Sequence, residues 1–458
     1  MPDRPDDLLP ATRRALLHRL ATAQAEGRTP SAVAAVVRDG RTVWTGARSM
    51  IDDHAPTPDV QYRIGSITKT FTAVLVLRLR DEGRLDLADP LERHLPGTAA
   101  GPATVAQLLS HTSGLAAETP GPWWERTDGA LRPGLADLLG AEPRRHPAGR
   151  AYHYSNPGFA LLGALVERLR GEPWGEVLRA ELIEPLGLTR TTLLPQAPHA
   201  GGFAVHPWAD VLLPEPLTDT GLMAPAGQLW STAADLARWA AFLADGDDRV
   251  LTSATLAEMR RPAGPPEEGT WSAGYGLGLA LWRDAGGLRY GHAGTMPGFR
   301  AGLWVDADER LGAVVLANAT SGPQDPAEVA ADLLRITAEH EPRPPAPWRP
   351  LVEPDQDLLA LTGPWYWGAE AFTLHLRAGR VLELLPAAAP AGPGTRFRPG
   401  PDGGFTGEDG YHAGEPLRVV RAADGSVHHL DLGSFVLTRA PYGPADAVPG
   451  GVDPAGWR

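Results

Sequence analysis

Gln61-Tyr62-Arg63-Ile64-Gly65-Ser66-Ile67-Thr68-Lys69 is the stretch on which the fold turns. Gln61 to Ile64 is a strand candidate, Gly65-Ser66 ends it, and the residues beyond carry an apolar stripe at helical spacing (Phe71, Val74, Leu75, Leu79) stopped by Gly83. Ser66-Ile67-Thr68-Lys69 is therefore an S-x-x-K placed where a strand turns into a helix. One helical turn separates its two polar side chains, so Lys69 can reach the Ser66 hydroxyl, and the helix N-terminus favours negative charge at the same place. A serine oxygen needs both kinds of help to become a nucleophile. By itself an S-x-x-K is most often the exposed face of a helix. Here it is completed by the only lysine of a chain that uses arginine everywhere else.

Outward from this stretch the pattern is ordered. Residues 8 to 26 have apolar positions at helical spacing and end before Gly27. Ala32 to Val37 and Thr42 to Trp44 flank Asp39-Gly40, a strong hairpin signal. Residues 84 to 260 are rich in short helical patterns, such as Phe159 to Leu169 and Ala233 to Leu243. After Gly274 the period changes to two, giving strand candidates Tyr275 to Trp282, Leu288 to His292, Arg300 to Val305 and Leu311 to Ala317, then a helix from Pro326 to Thr337. Helix, hairpin, helical insertion, antiparallel strands and helix together predict an α+β sandwich over residues 1–340. A Pro-rich linker, 341–351, precedes a small all-β domain at 352–442 and a tail at 443–458. The β-domain strands are Phe372 to Leu376, Val381 to Leu385, Leu417 to Arg421, Val427 to Leu430 and Phe435 to Thr438, with a Pro/Gly-rich stretch from Pro386 to Gly404.

Composition narrows the chemistry. The 458 residues hold 42 basic and 55 acidic side chains, a net charge of −13, which lacks the electrostatic footprint of a nucleic-acid or anionic-membrane binder. Zero cysteines exclude disulfides, thiolate metal sites and a cysteine nucleophile, so covalent catalysis must use oxygen or nitrogen. Met1 to Arg14 lack the basic start and apolar core of a secretory signal, and no long apolar run follows; a cytoplasmic protein is expected. There is no G-x-S-x-G elbow, no H-E-x-x-H, and no Walker or dinucleotide glycine pattern, so neither metal nor cofactor is expected.

Two further motifs carry chemistry. Tyr154-Ser155-Asn156 holds one of only two asparagines (the other is Asn318), and Pro157-Gly158 after it predicts a turn. A phenol can shuttle protons if a nearby cation lowers its pKa, and a carboxamide can hold Lys69 and a substrate carbonyl by its two ends. His292-Ala293-Gly294 closes a strand candidate; Gly294 would let a substrate backbone lie alongside, and the Thr295 amide could pair with that of Ser66 as two oxyanion donors. Trp123-Trp124 belongs either to the core or to the wall of an acyl pocket.

The order S-x-x-K, Y-x-N, H-x-G, with the phrases Gln107-Leu108-Leu109-Ser110-His111-Thr112-Ser113-Gly114-Leu115 and Ala226-Gly227-Gln228-Leu229-Trp230-Ser231-Thr232, resembles the penicillin-recognising serine hydrolases of the class C β-lactamase type. That family includes D-stereospecific peptidases, esterases, and penicillin-binding-protein-type thioesterases that cyclise nonribosomal peptides. The resemblance covers residues 8 to about 340 and implies a β-lactamase/transpeptidase-like antiparallel sheet with flanking helices and an inserted helical region. It further implies Ser66 as nucleophile, Lys69 as its general-base partner, Tyr154 in proton transfer, Asn156 as the carbonyl-binding amide and a cation at the third motif, where His292 stands; Gly294 and Thr295 join these as expected substrate-binding residues on the reading above. The departure is His292-Ala293-Gly294 where β-lactamases of this type usually carry Lys-Thr-Gly, which argues against efficient β-lactam hydrolysis. The C-terminal segment resembles the lipocalin-like domain of several such enzymes. The expected substrate is a peptidyl thioester, ester or amide, free or on a carrier protein. Release by head-to-tail cyclisation is favoured, with an esterase or D-peptidase, or a sensor that stays acylated, as alternatives; the β domain is expected to help enclose a peptidyl chain.

Overall fold

The structure, a computed structural model, describes residues 8–49, 56–127, 134–264, 272–284, 287–320, 322, 324–345, 347–353, 355–389, 392, 394–400, 404–443 and 446. Residues 1–7, Ala346 of the linker and nearly all of the tail lie outside these. The chain forms two compact units, Met1–Arg343 and Pro344–Arg458.

In the first unit, α1 (Pro10–Glu26) leads into β1 (Ser31–Arg38) and β2 (Arg41–Ser49), which turn at Asp39 and Gly40, both with positive φ. A left-handed pair at the turn is what a two-residue hairpin requires. β3 (Tyr62–Arg63) leaves this sheet and pairs with β6 (Trp230–Ser231); β4 (Phe203–Val205) and β5 (Leu212–Pro214) form a hairpin of their own. β7 (Ala273–Tyr275), β8 (Ala280–Asp284), β9 (Gly287–Met296), β10 (Phe299–Asp306) and β11 (Leu311–Ala317) complete a seven-stranded antiparallel sheet ordered β2-β1-β11-β10-β9-β8-β7.

Both faces of the sheet are covered, which is why Ala32 to Val37 is one continuous apolar run. Val33, Ala35 and Val37 enter the larger core; Ala32, Ala34 and Val36 enter a smaller one with Leu16 and Leu20 of α1 and Val329 and Leu333 of the helix Pro326–His340. Alternation along a strand sends neighbours to opposite layers. Asn318, at the end of β11, is a structural tie: its Oδ1 accepts from Ser31 N (2.6 Å) and its Nδ2 donates to Gly201 O (2.9 Å).

α2 (Thr68–Asp81) departs from the expected one-sided stripe, because its residues are buried from Thr68 to Leu77 on every side. Its threonines fit that setting by bonding inward. Thr72 Oγ1 donates to Pro225 O, Thr70 Oγ1 accepts from Trp239 Nε1, and Thr68 Oγ1 accepts from Leu229 N. Phe71 stacks on Trp239 at 3.7 Å. Tyr275 to Trp282 is also two strands rather than one. The break falls where Gly278, at φ +79°, lies so close to α2 that a Cβ there would sit 2.1 Å from that of Ala73.

The second unit is an up-and-down sheet of eight strands in sequence order: β12 (Gly363–Trp367), β13 (Glu370–Arg377), β14 (Val381–Pro386), β15 (Thr395–Pro399), β16 (Phe405–Gly407), β17 (Pro416–Arg421), β18 (Val427–Leu432) and β19 (Phe435–Leu437). Tyr366 bridges Thr438, so the first and last strands meet and the barrel nearly closes around Trp365, Phe397 and Leu430. Sequence patterning missed β12, β15 and β16; β15 lies within the Pro/Gly-rich stretch.

Candidate active site

Lys69 sits in the first turn of α2 with its side chain wholly buried. Its Nζ is 3.0 Å from Ser66 Oγ and donates to Asn156 Oδ1 (2.7 Å) and Ala226 O (2.7 Å). The last two atoms can only accept, so they fix two N–H bonds, and the remaining position of the tetrahedral nitrogen faces Ser66. In the ammonium that position is a third N–H; in the amine it is a lone pair aimed at the serine proton. Burial pulls Lys69 down to about 7, opposed by the charges of Glu118 and Glu125.

Tyr154 closes the other side. Its phenol hydrogen-bonds the Ser66 side chain, and its ring centroid is 4.9 Å from Lys69 Nζ. The expectation that a cation would lower the phenol is reversed: burial raises Tyr154 strongly and the bond to Ser66 offsets only part of it. The phenol therefore keeps its proton, and the lysine is the group brought to neutral pH.

Pro157-Gly158 does not make the expected turn. Ser155 caps α4 (Asn156–Arg170), its Oγ accepting from Gly158 N at 3.1 Å, and Pro157 occupies the first turn, where a missing N–H costs nothing. Ser155 Oγ also donates to Ala116 O, and Asn156 N donates to Ala117 O, which moors the motif to the segment after His111. Asn156 Nδ2 donates to Glu118 Oε1 at 2.7 Å, while Glu118 Oε2 accepts from Trp124 Nε1 at 2.7 Å. Sequence reasoning missed Glu118, which no motif marks.

β9 runs through the third motif to Met296 instead of ending at His292. Gly65, at φ +53°, and Gly294 meet backbone to backbone: a Cβ on Gly65 would lie 2.6 Å from Thr295 N, and one on Gly294 would lie 1.9 Å from Ile64 O and 3.2 Å from Ser66 N. Two glycines thus let the backbone at Thr295 N approach Gly65 and that at Ser66 N approach Gly294, and Ser66 itself is half-buried. His292 is buried with both ring nitrogens engaged, Nδ1 on Ala293 O and Nε2 on Tyr275 OH at 2.9 Å. Burial, then the Lys69 charge, hold it near 3, so it is neutral and cannot replace a third-motif cation. Tyr275, its partner, was not singled out from the sequence as a site residue.

A 470 Å³ cavity opens beside Trp124, walled by Pro120, Pro122, Leu139 and Met223 and edged by Thr220. Trp124 belongs to cavity and cradle alike, since its indole lies 3.6 Å from the Cβ position of Gly227, next to Ala226. Among the described residues no group of three or more His, Asp or Glu could hold a metal, and no helix is long and apolar enough to cross a membrane.

Residues 17–338 match the family model described as Beta-lactamase, and residues 354–439 match a domain of unknown function (DUF7586). Penicillin-binding protein 4 of Amycolatopsis lactamdurans is 32% identical over 71% of this chain and 91% of its own length. The next curated relatives are longer, and the chain spans 52 and 61% of them. Among solved structures, a D-stereospecific amidohydrolase from Streptomyces sp. is 30% identical, covering 72% of this chain and 99% of that one with a TM-score of 0.58. SurE, solved with D-Leu, is 27% identical, covering 94% of this chain and 100% of that one with a TM-score of 0.57.

Proposed function

The chain belongs to the β-lactamase family of serine hydrolases, and from that premise we propose that it transfers an acyl group through an ester on Ser66, taken from a donor whose acyl residue has the D configuration. The observation that carries this is the Lys69 nitrogen, whose only uncommitted position faces Ser66 Oγ. The Lys69 amine takes the serine proton as Oγ attacks the carbonyl carbon, and the oxyanion forms between the amides of Ser66 and Thr295. As the intermediate collapses, Tyr154 gives its proton to the leaving atom and is reprotonated from the Lys69 ammonium. An acceptor N–H or O–H then repeats the sequence in reverse. Asn156 Nδ2, released from Glu118, is the donor for a substrate carbonyl, and the cavity beside Trp124 suits an apolar side chain.

The donor class follows from β9. With His292 neutral and Ala293 offering a methyl, the first two positions of the third motif present neither charge nor hydroxyl to a leaving-group carboxylate. Thioesters, esters and simple amides are thereby favoured over β-lactams and carboxy-terminal D-residue peptides. The D configuration draws on the D-stereospecific amidohydrolase and on SurE bound to D-Leu. The acceptor we favour is the donor's own amine, releasing a nonribosomal peptide from a thioester, free or on a carrier protein, by head-to-tail cyclisation. Intramolecular attack at effective molarities of about 10⁵ to 10⁸ M outruns water. The second assignment is a D-peptide amidohydrolase or esterase, supported by the 30% identity to the amidohydrolase.

The test offers the full chain peptidyl N-acetylcysteamine thioesters of varied length ending in D- or L-leucine. Cyclic product from the D series, with an acyl adduct on Ser66 that is lost in a folded Ser66→Ala variant, supports the proposal. Linear acid alone across lengths and configurations transfers the assignment to the hydrolase; an adduct on another residue overturns both.

A further inference from the structure

His111 takes no part in the chemistry above, yet it lies 1% exposed at the centre of the site. It follows α3 (Val105–Leu109) in a left-handed conformation, φ +56°, uncommon for a residue other than glycine. Two bonds converge on it. Ser155 N donates to its ring Nδ1 at 3.1 Å, and His153 N donates to its backbone O at 2.7 Å. These are the N–H groups on either side of Tyr154, and one residue receives both. The imidazole also packs on the Tyr154 ring, with centroids 4.2 Å apart and planes tilted by 35°.

We propose that His111 is the positioning residue that fixes the Tyr154 phenol against Ser66, by accepting the backbone N–H groups that flank Tyr154. The assignment rests on the acyl-transfer function proposed above. A backbone N–H on Nδ1 leaves the neutral ring's proton on Nε2, a buried atom with no hydrogen-bond partner among the described residues. The ring lies edge-on to Tyr275 (4.7 Å, 63°) and beside Tyr152 and Phe159. A protonated ring would lose the Ser155 bond and place a second cation near Lys69. The structure opposes that state: burial first, then the Lys69 charge, hold His111 well below its ordinary pKa, and His292 and His153 would repel a proton there in the same sense. The groups facing it are thus Lys69 from α2, His153 and the phenols of Tyr152 and Tyr154 from the segment before α4, Tyr275 from β7 and His292 from β9; no carboxylate appears among its electrostatic partners. Held this way, Tyr154 keeps one rotamer through both acylation and deacylation, and a shift of about 1 Å would cost on the order of 10²-fold in rate.

The experiment compares His111→Asn, whose amide oxygen stands at the Nδ1 place, with His111→Gln, whose oxygen stands at the Nε2 place, and with His111→Ala. Each is assayed for thermal melting, for Ser66 labelling by a fluorophosphonate, and for steady-state turnover of a D-leucyl N-acetylcysteamine thioester. We expect His111→Gln and His111→Ala to lose at least about tenfold in kcat with KM within about threefold, and His111→Asn to recover at least about fivefold over Gln. Equal activity of the Asn and Gln variants, or a kcat within threefold of wild type for all three, overturns the proposal. If His111→Ala does not fold, the Asn and Gln pair decides. Failure of the wild-type protein to label on Ser66 would instead remove the acyl-transfer assignment, so the two failures are distinct.

Discussion

Gly294→Ala tests whether the two backbone amides work as a pair. The added Cβ would sit 1.9 Å from Ile64 O, 2.9 Å from Ile64 C and 3.2 Å from Ser66 N. The closest atom is a backbone carbonyl, which cannot swing aside as a side chain would, and the first contact is more than ~1 Å inside van der Waals distance. Something must separate. At Gly294 β9 is held by β10, in an unbroken run of pairs from Arg289↔Asp306 to Met296↔Phe299, and β8 adds its hold further back, from Gly287 to Gly291, so the segment that yields is Ile64–Ser66, and it carries the nucleophile. A displacement of about 1 Å costs roughly 10²-fold, and loss of one oxyanion donor costs about 10² to 10³-fold, or ~3 to 4 kcal/mol of transition-state stabilisation. Expected, then, is a drop in kcat of about 10² to 10³ with at most ~1 to 3 kcal/mol lost from folding stability. Pre-steady-state acylation by the D-leucyl thioester and thermal melting measure the two terms. Gly404→Ala, whose Cβ meets nothing within 4 Å, is the control. A Gly294→Ala enzyme acylated within tenfold of the wild-type rate would show that the amides of Ser66 and Thr295 do not share an oxyanion.

Lys69→Arg keeps a cation but not a base, since a guanidinium stays protonated; more than a tenth of the wild-type acylation rate, less than about 1.4 kcal/mol of loss, would make Lys69 purely electrostatic. Because the amine is the active form and lies near pH 7, acylation should fall as pH drops through about 7. Glu118 raises Lys69, so Glu118→Gln should move that acid limb to lower pH, and movement the other way, or none, refutes the electrostatic account. Asn318→Ala leaves Ser31 N and Gly201 O without their bonds at the end of the β1–β11 pair; a loss of about 1 to 3 kcal/mol per stranded group is expected, read by denaturant unfolding, and a neutral result counts against the tie.

What was legible in the sequence was local. Ser66 and Lys69 share one helical turn, Tyr154 and Asn156 are two residues apart, and the Asp39-Gly40 turn carries its own geometry, so short-range chemistry exposes all of them. What stayed hidden depends on burial and distant approach. Glu118 meets Asn156 only once the segment after α3 lies against α4, and His111 becomes a mooring only when residues 153 to 155 arrive beside it. The strand break at Gly278 answers to Ala73 on α2, and the polar residues of α2 satisfy themselves on neighbours that periodicity cannot see. The directions of the Lys69, Tyr154 and His292 shifts likewise come from enclosure, which residue types alone do not specify. In the β domain, strands as short as Phe405–Gly407 are too brief for an alternating pattern to stand out.

The pairing of β1 with β11, Ala32 opposite Ala317, carries a kinetic consequence. Ser66, Tyr154 and Thr295 lie on segments far apart in sequence, within the stretch whose two ends this pairing joins, and such distant contacts carry their loop-closure entropy before any contact rewards it. Helices such as α4 and Ala233–Asp245 can form from local contacts during refolding, but the cleft between Ile64–Ser66 and β9 cannot. Appearance of an acylatable Ser66 is therefore expected to trail the recovery of helical circular dichroism, and a fluorophosphonate added at intervals during refolding would time it.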